Sequence, residues 1–197
     1  MKKVTFGTPE KLTPSCFCKN FNYVETETSY DVSSIRHEKN SRGYKLILPL
    51  GNDEQIFGFG LQLKRMNWTG GKATLRVNAD PVAATGDSHA PVPFFVSTAG
   101  YGIYFDTARY AEFNIGTAMT GTAVENGSQT ATSFAELYSY RKPAKGVIAV
   151  QIPAADGIDI YIIEGKTITD IVAQYNMLSG GGCNVPDWGL GVFYRCH

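Results

Sequence analysis

A mainly β, antiparallel sandwich with one C-terminal helix is predicted by three observations. The 197 residues include 21 glycines, 11 phenylalanines and 11 tyrosines, a mix that suits strands and tight turns. Short apolar runs recur along the chain, separated by Gly, Pro, Asn and Asp clusters at the spacing of an all-β sandwich. A helical period of apolar residues occurs convincingly once, near the C-terminal end.

Residues 1–20 read as a lead segment. Strands follow at 21–26, 33–37 and 44–50, with Asn40-Ser41-Arg42-Gly43 as the turn of an antiparallel meander. The run 56–63 (Ile-Phe-Gly-Phe-Gly-Leu-Gln-Leu) is apolar but interrupted by glycines, which predicts a bulge or close backbone approach in a central strand. Trp68-Thr69-Gly70-Gly71 is a turn before a strand at 73–77, and a break rich in Pro, Gly and Asp spans 78–91. Strands at 93–97 and 101–106 flank Thr98-Ala99-Gly100, a three-residue hairpin loop ending in glycine. Further strands are expected at 111–115, 130–138, 146–151 and 157–163.

The helix is predicted over 168–179, where Ile168, Ile171, Val172, Tyr175 and Leu178 share one face. Thr167 and Asp170 form a capping pattern, Gly180 supplies the stop, and the apolar stripe is expected to dock on the sandwich. After Pro186, the segment 188–194 (Trp-Gly-Leu-Gly-Val-Phe-Tyr) reads as a strand that needs neighbours on both faces. The expected organisation is therefore a lead at 1–20, a sandwich at 21–164, a linker helix at 165–182, and at 183–197 the opening of a unit whose remainder is missing. That apolar tail, if exposed, offers a surface for self-association.

Eighteen basic and eighteen acidic side chains cancel, so nothing draws the chain to nucleic acid or an anionic membrane surface. No stretch approaches the roughly 20 apolar residues of a membrane span. No apolar signal region follows Met1-Lys2-Lys3, and a cytoplasmic location is expected. The cysteines, Cys16, Cys18, Cys183 and Cys196, lie near the two ends, which argues for free thiols over a disulfide framework. The Cys16–Cys18 spacing is too short for a zinc knuckle, and neither a metal site nor a cofactor is expected.

Catalytic motifs are absent. Only His37, His89 and His197 can serve as an imidazole base, and there is no Gly-x-Ser-x-Gly elbow, phosphate loop or His-Glu-x-x-His helix. Gly58-Phe59-Gly60 is not a dinucleotide fingerprint, because Leu63 stands at the final glycine. The break 78–91 is long enough to carry function and holds Asp80, Asp87 and His89; the competing reading makes its aspartates turn caps in a solvated loop. Trp68, Tyr101 and Tyr104 read as core, and Tyr101 and Tyr104 belong to opposite strand faces.

In this order the segments resemble the N-terminal region of glycoside hydrolase family 31, the α-glucosidase and α-xylosidase group. The resemblance rests on Ile56 to Gly60, on the hairpin Pro91 to Asp106 with its Pro-Phe-Phe and Gly-Tyr-Gly elements, and on Asp159 to Gly165, Gln174-Tyr175 and Pro186 to Gly191. Leu61 and Gln62 depart from the family's acidic residue. The resemblance implies a galactose-mutarotase-like sandwich ahead of a (β/α)8 barrel whose later strands would carry a nucleophile and an acid/base Asp, so no catalytic residue is assigned here. It further implies that the 78–91 loop reaches the barrel mouth, with Asp80 and His89 as substrate-binding candidates, although Ala79 stands where relatives often carry a basic residue. The implied partner is an α-glycoside bound through the full-length enzyme and its barrel. A stand-alone carbohydrate-binding module and a purely structural or oligomerisation domain remain the alternatives.

Overall fold

The computed structural model describes residues 1–62, 65–77, 88–117, 146–182 and 186. The segments 130–138 and 188–194, read above as strands, lie outside the described residues, as do Asp80, Asp87, Cys183, Cys196 and His197.

Two five-stranded antiparallel sheets make the sandwich. Its strands are β1 (Lys2–Gly7), β2 (Arg36–Asn40), β3 (Gly43–Pro49), β4 (Ile56–Gln62), β5 (Gly71–Leu75), β6 (Ser88–Ser97), β7 (Tyr101–Phe105), β8 (Ala111–Ile115), β9 (Val147–Pro153) and β10 (Gly157–Glu164). One sheet runs β1-β10-β7-β6-β4 and the other β2-β3-β9-β8-β5. Alternation sets the faces: Leu46 and Leu48 of β3, Phe113 and Ile115 of β8, and Ile148, Val150 and Ile152 of β9 meet Phe95, Ile103, Phe105, Ile158, Ile160 and Ile162 from the opposing sheet. Each such side chain is worth roughly 1.5–3 kcal/mol over an exposed one.

The first sheet is apolar on its other face too. Phe94, Val96, Tyr104, Tyr161 and Ile163 form a second cluster with Ile171 and Leu178 of the helix α2 (Ile168–Leu178). That helix opens with the expected capping box between Thr167 and Asp170. Its buried stripe is narrower than the sequence suggested, since Ile171 and Leu178 are buried whereas Ile168 and Val172 are partly exposed. Close docking requires Gly102, because a Cβ there would stand 2.7 Å from Ile171 Cγ2.

Three expectations are corrected. Residues 21–26 form no strand; the alternation there places Phe21 and Tyr23 on Tyr161 with centroids 5.3 and 5.1 Å apart, as an extended strap over the outer face. The strand expected at 33–37 begins at Arg36, after a 3-10 turn over Val32–Ser34. Finally, β4, expected to be central, borders its sheet among the described residues. Its ladder to β6 slips between Gly58 and Gly60, where Gly58, Phe59 and Gly60 all have positive φ, the mark of a bulge, and Phe57 also makes an isolated antiparallel bridge with Asn67.

Two elements extend beyond the sequence reading. The lead segment supplies β1, which pairs with β10 from Lys2↔Ile162 to Gly7↔Gly157. Strand β6 begins at Ser88, five residues before the expected start, in spite of Pro91 and Pro93. Proline is tolerated there because Pro91 and Pro93 precede the β7 ladder, which starts at Phe94.

Candidate functional site

At one end of the sandwich a cleft of about 430 Å³ opens between the start of β6 and the β7–β8 connection. Pro14, Val77, His89, Pro91, Arg109 and Tyr110 are among the residues that line it. Pockets of this size with apolar walls and a few polar groups are the usual form of a small-ligand site.

His89 is placed by its neighbour. Ser88 is fully buried; its hydroxyl donates to the Leu61 carbonyl oxygen and accepts from Ala90 N–H at 3.1 Å. With Ser88 fixed inward, strand alternation turns His89 outward, where it is exposed. Val77 and Ser88, which flank 78–87, face each other in an isolated parallel bridge.

The opposite wall is built from the N-terminal arm and the β7–β8 connection. Asp106 follows β7 and is 2% exposed. Its carboxylate accepts from Thr13 Oγ1 (2.7 Å), Ser15 N–H (3.0 Å), Ser15 Oγ (2.5 Å) and Tyr104 OH (3.2 Å). Such charge-assisted bonds are what allow a carboxylate to stay buried, and here they hold Pro14 of the short helix α1 (Pro14–Phe17) against the cleft. Further along, Thr107 Oγ1 accepts from Arg109 N–H at 3.1 Å, closing a tight turn. Arg109 donates through Nε (2.7 Å) and Nη2 to Glu10 Oε1. Tyr110 then stands outward, 62% exposed, with the Arg76 guanidinium 6.0 Å from its ring centroid.

A wider hollow of about 590 Å³ lies near the β6–β7 hairpin and includes Ser29, Tyr30, Tyr101, Glu164 and Lys166. Its acid is already occupied, since Glu164 accepts from Ser29 N–H and Oγ. Partial burial pushes that carboxyl up, but the Ser29 bonds outweigh it and the net shift is downward. Nearby, Glu54 Oε1 accepts from Tyr101 OH at 2.6 Å and Ser97 Oγ at 2.5 Å. These polar groups knit loops together and do not converge on the space.

Of the two binding candidates read from sequence, His89 lines the cleft and Asp80 lies outside the described residues. Trp68, Tyr101 and Tyr104 are buried, the last two in different clusters. His37 bonds Tyr44 OH at 2.7 Å. The sequence reading missed Arg109 and Tyr110, which sit in an irregular connection, and Pro14, which opens a four-residue helix too short to show a period. Among the described residues no carboxylate lines the cleft. Among the described residues no cluster of His, Cys, Asp or Glu is arranged to hold a metal ion.

No family model matches the chain. An isomaltosyltransferase of Sporosarcina globispora is 22% identical over 140 residues, which are 71% of this chain and 11% of that protein. The α-xylosidase XylQ of Lactiplantibacillus pentosus is 21% identical over 171 residues, 86% of this chain and 19% of that protein. A cycloalternan-forming enzyme from Listeria monocytogenes, solved with a pentasaccharide substrate, shares the fold with a TM-score of 0.54 and 24% identity, covering 75% of this chain and 12% of that one. The chain thus spans about a tenth to a fifth of the length of the curated relatives it matches. Glycoside hydrolase family 31 enzymes are what this sandwich is similar to, over a partial region of each.

Proposed function

We propose that this chain works as the non-catalytic N-terminal β-sandwich of a glycoside hydrolase family 31 enzyme, with hydrolysis of an α-glycoside performed by a barrel encoded beyond it. The observation that carries the reading is the partial match: 71% and 86% of this chain align with 11% and 19% of two carbohydrate-active relatives. The cleft is consistent with a binding role, because its described lining offers apolar walls and His89; the two acids that glycoside hydrolysis needs on either side of the bond are assigned to the barrel. In this role the sandwich supports the barrel, and the stretch carrying Asp80, together with His89, lends contacts to the sugar.

The test compares the 197-residue chain with the longer polypeptide of the same gene on aryl α-glucoside and α-xyloside. The chain alone is expected to release no aglycone, and the longer polypeptide to release it with retention of configuration. Within the longer polypeptide, Asp80→Ala and His89→Ala should each lower kcat/KM by about tenfold, the loss of one charged or polar contact to substrate. Hydrolysis by the chain alone, or unchanged kcat/KM in both variants, would overturn the reading. A self-standing carbohydrate-binding module is the second reading, and the exposed Tyr110 ring is the observation that favours it.

A further inference from the structure

We propose that the cleft is itself a carbohydrate subsite, in which the Tyr110 ring is the stacking platform and His89, Thr107 and Arg109 are the hydroxyl partners. This rests on the reading of the chain as part of an α-glycoside-processing enzyme, and it adds a site that needs neither the barrel nor Asp80.

Tyr110 is 62% exposed at the edge of a concave, largely apolar surface, whereas the other tyrosines among the described residues are buried or half-buried. Arg76 takes one face of the ring at 6.0 Å, and no other aromatic or cationic partner meets Tyr110 among the described residues. At an exposed site such a contact is weak, and it leaves a second flat face for a ligand. A pyranose presents an apolar C–H face to such a ring and a rim of hydroxyls to its surroundings, which suits an amphipathic aromatic.

Charge decides against other ligand classes. Arg109 is paired with Glu10 and Arg76 lies over the Tyr110 ring, so the described lining holds no converging cluster of cations of the kind that captures a phosphate or sulfate. A purely apolar ligand would desolvate the exposed His89 imidazole without giving it a partner. A neutral, polyhydroxylated ligand satisfies both walls. The Asp106 network gives the site rigidity by fixing Pro14, Thr107 and Arg109 on one scaffold.

The probes are isomaltotriose and maltotriose, added to the 197-residue chain at up to about 10 mM, the range suited to single weak subsites, with saturation-transfer NMR and calorimetry as readouts. Binding of at least one trisaccharide is expected. Tyr110→Ala should weaken it by about tenfold or more, Tyr110→Phe should stay within about twofold, and His89→Ala should lose about three- to tenfold. Thermal midpoints should not move for either Tyr110 variant, because the ring is largely in solvent. Absence of binding, or equal binding by Tyr110→Ala, would overturn the subsite without touching the accessory-domain reading, which has its own hydrolysis test. Binding that depends on Tyr110 in a protein whose longer form hydrolyses nothing would uphold the subsite and overturn that reading.

Discussion

Removing the Asp106 carboxylate strips acceptors from four donors at once: Thr13 Oγ1, Ser15 N–H, Ser15 Oγ and Tyr104 OH. The three hydroxyls can turn to other acceptors; the backbone N–H cannot. Taking about 1.5–3 kcal/mol for each charged hydrogen bond and allowing the hydroxyls to recover much of theirs, Asp106→Ala should cost about 3–4 kcal/mol. Asp106→Asn is the informative control. Its carbonyl oxygen still accepts from Ser15 N–H, and its amide donates to the hydroxyls of Thr13 and Ser15, which can rotate to accept. The geometry then survives without the charge, at about 1–2 kcal/mol. For a domain of this size these costs correspond to falls in Tm of about 6–16 °C and about 2–8 °C. Calorimetric melting supplies the numbers, and limited trypsin digestion shows whether the loss is local, through cleavage after Lys11 or Lys19 while the sandwich stays intact. An Asp106→Ala protein within about 1 kcal/mol of wild type, with the arm still protected, would refute the claim that this carboxylate holds the arm. So would an Asn variant as damaged as the Ala variant.

Two further predictions concern the core and its tyrosines. Phe59 is fully buried at φ 69; Phe59→Ala should cost about 3–5 kcal/mol, yet Phe59→Gly should be no worse, because glycine avoids the roughly 1–2 kcal/mol that an L-residue pays in the left-handed region. Denaturant midpoints decide this, and a glycine variant clearly less stable than the alanine one would contradict it. Burial, with Glu54 or Asp106 close by, pushes Tyr30, Tyr101 and Tyr104 far up, and burial lifts Tyr161 to about 12 against the opposing charge of Lys3. Folded values above the unfolded value of about 10 mean that the unfolded chain releases protons first, so this stability is complete below about pH 10 and is lost as pH rises through 10 towards 12. In an absorbance titration, these four of the 11 tyrosines should stay protonated at about pH 11 until the fold gives way. Ionisation of more than seven in the native chain would count against it.

The sequence was legible wherever local chemistry and burial agreed. The β6–β7 hairpin carries its own turn residues, Thr98 to Gly100, between apolar strands. The α2 start is written in Thr167 and Asp170, whose mutual bonds need no tertiary partner. Strand β8 was placed at its observed bounds because Ala111, Phe113 and Ile115 alternate cleanly into one core. The misses have a common physical cause. Alternation reports which side of an extended chain is buried and not whether its backbone is paired, so Phe21 and Tyr23 gave a strand signal from a strap. The glycines of β4 were correctly read as a bulge, but which strands neighbour β4 is set by tertiary pairing that local sequence does not report. The site was half legible: His89 belongs to a long break that could be noticed, whereas Tyr110 acquires its meaning from Arg76, Arg109 and a cleft assembled across the sandwich.

The pairing of β1 with β10 bears on how the chain is made. Lys2 lies opposite Ile162, a separation of 160 residues, so the N-terminal strand of this sheet must wait for its partner to be made. At about 5–20 residues per second that wait is about 8–30 s, during which Val4 and Phe6 have no sheet to join and the β10 side of β7 stands open. Contacts this distant in sequence slow folding. The nascent sandwich therefore passes through a stage in which its own N-terminal strand competes with any other extended segment for the same edge.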